Sequence, residues 1–128
     1  MAKAPSPLSR ARRVVPSLGE FSVDRFDARA VQVIGEHVRA TPLFLYYAIP
    51  LVHAPMQAPA SVLEEHKHTL ARFGNHERKL FAAQTIMLDK SVAAVVGALD
   101  AAGLANDTLM VIARSARDDR LIGRHRGV

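Results

Sequence analysis

Two runs of six residues constrain this chain most: Leu-Phe-Leu-Tyr-Tyr-Ala at 43–48 and Thr-Leu-Met-Val-Ile-Ala at 108–113. Neither carries a charge and neither alternates apolar with polar residues. Each therefore reads as a strand buried on both faces, as in parallel sheets. Parallel neighbours need a crossover between them, commonly a helix. The stretch from His76 to Gly103 supplies one, predicted over 77–101, with Phe81, Leu88, Val92, Val95 and Leu99 on one face. Gly103 stands where a left-handed cap would stop it. Before the first run, "FSVDRFDARAVQVIGEHVRA" predicts another helix, with Ser22 as N-cap, Asp24 in the first turn and an apolar stripe of Phe26, Ala30, Ile34 and Val38. Thr41-Pro42 closes it, because the residue before a proline avoids helical geometry. "SVLEEH" predicts one further helical turn capped by Ser61, and "LANDT" a turn. Helix, strand, loop, long helix, strand is the order of an α/β fold with right-handed crossovers.

The chain has 128 residues, enough for one domain, and is 49% hydrophobic, enough for a core. It has no cysteine, so disulfides, thiolate metal sites and thiol nucleophiles are excluded. No uninterrupted apolar run approaches the roughly 18 residues of a membrane span. The net charge of +5 invites a nucleic-acid reading until it is divided: residues 1–20 and 113–128 carry +3 each, and 21–112 carry −1. A nucleic-acid-binding domain concentrates basic residues on a folded face, so no nucleic-acid partner is expected. Residues 1–20 read as a basic, disordered segment, and 114–128 as a basic, irregular tail without periodicity.

Between the first run and its helices lies "IPLVHAPMQAP", a loop restricted by Pro50, Pro55 and Pro59 that carries His53. A histidine just beyond a strand's carboxyl end can donate to an anionic oxygen and titrates near neutrality; in a solvated turn it does nothing. Elsewhere His66, His68 and His76 suggest a zinc site, but alternate helical residues point apart and no carboxylate partner is placed, so exposed loop histidines are the better account. Glu64, Glu65 and Glu77 read as solvated helix residues, although Glu64 and His68 stand at i,i+4 spacing. Asp89 reads as structural, satisfying nearby backbone or hydroxyl groups. Tyr46 and Tyr47 read as strand packing on opposite faces.

Taken in order, "FSVDRFDARAVQVI", "PLFLYYAIPLVHAPMQAP" and "FAAQTIMLDKSVAAVVGALDAAGLANDTLMVIA" resemble an internal piece of the sulfatase family, of the arylsulfatase B type, over about residues 21–112. His53, Pro55 and Pro59 match that family's H-x-P-x-x-x-P loop, Gln57 is typical of it, and Asp89 matches an aspartate of its next helix. The resemblance implies a partial alkaline-phosphatase-like fold, with parallel strands at 43–48 and 108–113 and crossover helices. It implies sulfuric ester hydrolysis by a formylglycine, a calcium ion polarising the sulfate ester, and His53 as a sulfate-contacting residue. It also implies a secretory or lysosomal setting, although residues 1–20 lack the apolar block of a secretory signal.

The departures bear on activity. The family's C/S-x-P-x-R nucleophile motif is missing: "SPLSR" at Ser6–Arg10 has Leu8 where proline belongs and lies too close to His53. After the second run the family carries an Asp-Asn pair for calcium, where this chain has Ser115 and Ala116, with Asp118 and Asp119 about three residues late. The chain thus reads as a sulfatase fragment, inactive alone and not expected to bind calcium. The alternative is a non-catalytic remnant or interaction module. An arginine-rich run starting where a motif should stand is what a truncated gene product or a misread exon gives. A few strands covered on one side cannot bury Leu43, Leu45, Tyr47, Leu109 and Val111 together, so poor solubility and self-association are expected.

Overall fold

A computed structural model describes residues 21–113 of the protein. The expected disorder of 1–20, the expected tail at 114–128, and Ser6, Ser115, Ala116, Asp118 and Asp119 lie outside the described residues.

The described residues form four α-helices and one 3₁₀ turn: α1 (Ser22–Gly35), α2 (Ala60–Glu65), α3 (Lys67–Leu70), α4 (His76–Ala101) and the turn Ala105–Asp107. The main packing pair is α1 against α4. Val23, Ala30 and Ile34 are the buried residues of α1, and Ala83, Gln84, Met87, Ser91 and Leu99 those of α4. Leu70 brings α3 into the same core. These positions recur at three- and four-residue spacings, as one helical face requires. The α4 stripe is nevertheless rotated from the predicted one: Leu99 is buried, Phe81 is exposed, and the small residues Ala83 and Ser91 allow close approach. In α1, Ala30 and Ile34 are buried as predicted, whereas Phe26 is exposed, and Val38, predicted on the same stripe, lies beyond the helix and is exposed too.

Helix ends follow local chemistry. Ser22 is the first helical residue of α1 and not its cap, a position taken by Phe21 without a side-chain bond. That helix stops at Gly35, earlier than predicted, and a turn held by Thr41 N–H to Val38 O (3.1 Å) completes the approach to Pro42. Pro59, not Ser61, caps α2. Asn75 caps α4: its side chain accepts from the N–H groups of Glu77 (2.7 Å) and Arg78 (3.3 Å). At the other end Gly103 has φ +65°, its N–H bonds Asp100 O (2.9 Å), and Leu104 N–H bonds Leu99 O (2.8 Å). This is the left-handed stop expected from the sequence.

The α/β expectation is overturned. Among the described residues there is no strand and no sheet, so 43–48 and 108–113 are not parallel neighbours and the alkaline-phosphatase-like sheet is not formed. A strand exists through its ladder, and neither run supplies the other with one. The crossover helix is present without anything to cross. Both runs instead lie bare, with Phe44, Tyr46, Leu109, Val111 and Ile112 exposed. Along 43–47 exposure still alternates, with Leu43 and Tyr47 half-buried and Phe44 and Tyr46 out in solvent. The uncharged runs record shape and apolarity without the neighbours that would make them strands.

By length and composition α4 would also suit a membrane span, with a mean hydropathy of 1.3 over 18 residues. Its middle is polar where it meets the rest of the fold. Lys90 Nζ donates to both oxygens of Glu65 (3.1 and 2.9 Å), and Ser91 Oγ donates to Asp27 (2.8 Å). Such engagements belong to a helix packed on protein.

Candidate functional site

His53 sits in the proline loop, and the loop is fastened to α4 by one side chain. Gln84 is 3% exposed. Its Oε1 accepts the His53 backbone N–H (3.1 Å) and its Nε2 donates to Gln57 O (3.0 Å). Both ends of the amide are satisfied, as a buried polar group requires. The imidazole itself is exposed, and its Nδ1 pairs only locally, with Ala54 O (2.5 Å). Backbone is held and side chain presented to solvent. Sequence reasoning missed Gln84, since a glutamine inside a helix gives no local sign of bonding 31 residues away.

Replacing Gln84 by leucine, of similar volume, is expected to release this loop while keeping α4 helical. The loss of two buried hydrogen bonds should cost about 1–2 kcal/mol. A lowered urea midpoint together with faster amide exchange at His53 checks it.

A second polar cluster lies at the α1–α4 contact. Asp27 accepts from the Tyr47 hydroxyl on one oxygen and from Ser91 Oγ (2.8 Å) on the other. Ser91 is fully buried, so its hydroxyl depends on this partner. Burial, and then the bond to the Asp27 carboxylate, push the Tyr47 phenol up from its usual value. Asp27 therefore does what was expected of Asp89, satisfying hydroxyls. Asp89 is exposed on α4 and has no hydrogen bond or ion pair with another described residue.

The remaining candidates do not converge on His53. Glu64 pairs with Lys67 (2.5 Å), and Glu65 pairs with Lys90, whose hydrogen bond holds the Glu65 carboxyl below the usual carboxylate range. His66 Nε2 lies 3.4 Å from Glu65, beyond good hydrogen-bond geometry. His66, His68 and His76 do not gather: among the described residues no three histidine, cysteine, aspartate or glutamate side chains stand close enough to share a metal ion. Among the described residues, then, no set of carboxylates gathers to hold a calcium ion. An open groove of about 1000 Å³ between α1, α2 and α4 has Val23 and Met87 among its apolar lining and Asp24, Asp27, Glu65 and Lys90 among its polar lining. It lies apart from His53, which is not among its lining residues. The histidine loop, not this groove, is the candidate site, because the exposed His53 imidazole stands on a backbone anchored by Gln84, whereas Glu65 and Lys90 of the groove pair with each other and Asp27 holds Tyr47 and Ser91.

No family model matches the chain, and no solved structure matches it. Among curated proteins it is similar to arylsulfatase J of Mus musculus, with 31% identity over 93 residues. That stretch is 73% of this chain and 15% of the mouse protein, so the chain spans about one-seventh of the length of the relative it matches. Over most of its own length, then, the chain is related to part of an arylsulfatase.

Proposed function

We propose that this chain is a piece of a sulfatase catalytic domain, a sulfuric ester hydrolase by descent, that contributes a histidine loop and does not turn over substrate alone. The observation that carries the reading is the 93-residue similarity to an arylsulfatase, taken with a proline loop whose backbone is anchored by Gln84 while His53 faces solvent. A histidine so held can hydrogen-bond an anionic oxygen such as that of a sulfate ester. Catalysis needs more than one donor: a nucleophile and a group stabilising the developing charge must act in the same place. Around His53 the described residues supply neither. Calcium and the formylglycine belong to the reading of the whole relative and enter no step here.

Two measurements test this. The chain alone, offered a chromogenic aryl sulfate, is expected to show no turnover, with His53→Ala no different. Residues 21–113 exchanged for the matching stretch of the mouse arylsulfatase are expected to give a chimera with some turnover that His53→Ala reduces by at least tenfold, the order of one well-placed donor. Turnover by the chain alone would overturn its inactivity. A chimera as active with alanine at 53 as with histidine would overturn the role of His53.

A further inference from the structure

We propose that Asn106 is an attachment site for an N-linked oligosaccharide, so that the protein carries a glycan on the turn that follows α4. The inference does not rest on the sulfatase reading. Asn106-Asp107-Thr108 has the order that the transferring enzyme recognises: asparagine, any residue but proline, then threonine. The chain's other asparagine, Asn75, is followed by His76 and Glu77 and lacks it. The two asparagines also differ in what the fold asks of them. Asn75 caps α4, its side chain accepting from the N–H groups of Glu77 and Arg78. Asn106 is exposed, and its side chain has no hydrogen-bond partner among the described residues. Nor does the backbone call for asparagine at 106, since among the described residues only Gly103 has a positive φ. A side-chain amide with no structural task stands in a sequence that has a chemical one.

The local geometry suits the modification. Asn106 is the middle residue of the 3₁₀ turn Ala105–Asp107, and Thr108 follows with extended backbone (φ −114°, ψ 125°). Asn106, Asp107 and Thr108 are all exposed, so a bulky hydrophilic group on Asn106 displaces no packed side chain. The Thr108 hydroxyl donates to Leu104 O (2.8 Å), a bond within the turn itself. Opening the turn to present the tripeptide therefore leaves the α1–α4 core untouched. The transfer is a substitution at a sugar's anomeric carbon. Asn106 Nδ2 forms the C–N bond to the first sugar of an oligosaccharide carried on a lipid pyrophosphate. The C–O bond to the pyrophosphate breaks, the lipid pyrophosphate leaves with the electron pair, and one Nδ2 proton passes to a base of the enzyme. The Thr108 hydroxyl is read and not consumed. Donor and enzyme belong to the secretory route, so the proposal places the chain there during synthesis.

Peptide mass mapping of the full chain, isolated from the cells that make it, tests this. The peptide holding residue 106 is expected to carry a glycan, and endoglycosidase in heavy-oxygen water should convert Asn106 to a labelled aspartate. Cell-free synthesis of the full chain behind a cleavable secretory leader, with microsomes present, checks the dependence on each residue. The wild type should gain one endoglycosidase-sensitive shift in mobility. Asn106→Gln, Asp107→Pro and Thr108→Ala should each abolish the shift, and Thr108→Ser, which keeps a hydroxyl, should retain it. Transfer acts on the emerging chain, so a variant that folds poorly still reports. The glycosylated chain and its enzymatically deglycosylated form should give the same helical circular dichroism. An unmodified Asn106 in the natural chain overturns the proposal, as does a wild type that microsomes leave unshifted. So does a shift that survives Asn106→Gln, or a glycosylated chain that has lost its helical signal.

Discussion

Asp27→Ala is expected to be the most damaging single polar change in this chain, lowering stability by about 2–4 kcal/mol. The carboxylate joins three parts of the fold: α1 through its own backbone, the 43–48 run through the Tyr47 hydroxyl, and α4 through Ser91. Alanine removes the acceptor from both hydroxyls at once. Ser91 is fully buried, so water cannot replace what it loses without opening the α1–α4 contact. Asp27→Asn, which keeps one acceptor oxygen and the side-chain shape, should cost less than half as much. Urea titration followed by helical circular dichroism separates the two. Equal losses would show that the effect is one of shape and not of hydrogen bonding.

The same cluster sets a pH dependence. The Tyr47 phenol is raised in the folded protein, so the folded state binds its proton more tightly than the unfolded state does. The stability this supplies is fully present below the ordinary phenol pKa near 10 and is lost as pH rises towards the higher folded value. Alkaline titration of tyrosine absorbance should show a component ionising well above the ordinary phenol range, and Tyr47→Phe should abolish it.

Gly103→Ala is the second large effect, with an expected loss of about 2–3 kcal/mol from left-handed backbone strain and a displaced neighbour. At φ +65° a β-carbon is disfavoured before any contact is considered. Here there is also a contact: it would collide with the Arg39 guanidinium at Nη2. Arg39 donates from Nε to Ala102 O (3.0 Å) and from Nη2 to Gly103 O, placing a cation on the carbonyl end of α4. The substitution therefore strains the cap and displaces this guanidinium together. Arg39→Ala alone should lose under 1 kcal/mol, since the group is exposed and screened. Thermal unfolding of the two single variants and the double variant resolves the parts. Additive losses would deny the coupling.

Gly103 was legible in the sequence because a helix stop is a local event, written in one residue's dihedral freedom. The extent of α4 was legible for the same reason, its periodicity running to that glycine. The two six-residue runs misled in a specific way. Their lack of polar alternation speaks of neighbours on both faces, and those neighbours are absent among the described residues. Tyr46 and Tyr47 do face opposite ways, as consecutive residues of an extended chain should. Asp27 and Ser91 are 64 positions apart, and no spacing rule connects them. His53 was found through its prolines; the residue that positions it lies in another element and escaped. Solitary side chains bridging distant segments have no periodic signature, which is why both Gln84 and Asp27 had to be seen in space.

The way Gln84 holds the proline loop separates two kinds of substitution at neighbouring positions. It grips main chain at His53 and Gln57, so this anchor does not depend on which side chain stands at position 53. A change at Gln84 is a change to the buried hydrogen bonds of the fold, whereas a change at position 53 leaves both of those bonds in place. The loop is therefore a frame in which position 53 can be varied while the main chain around it keeps its path.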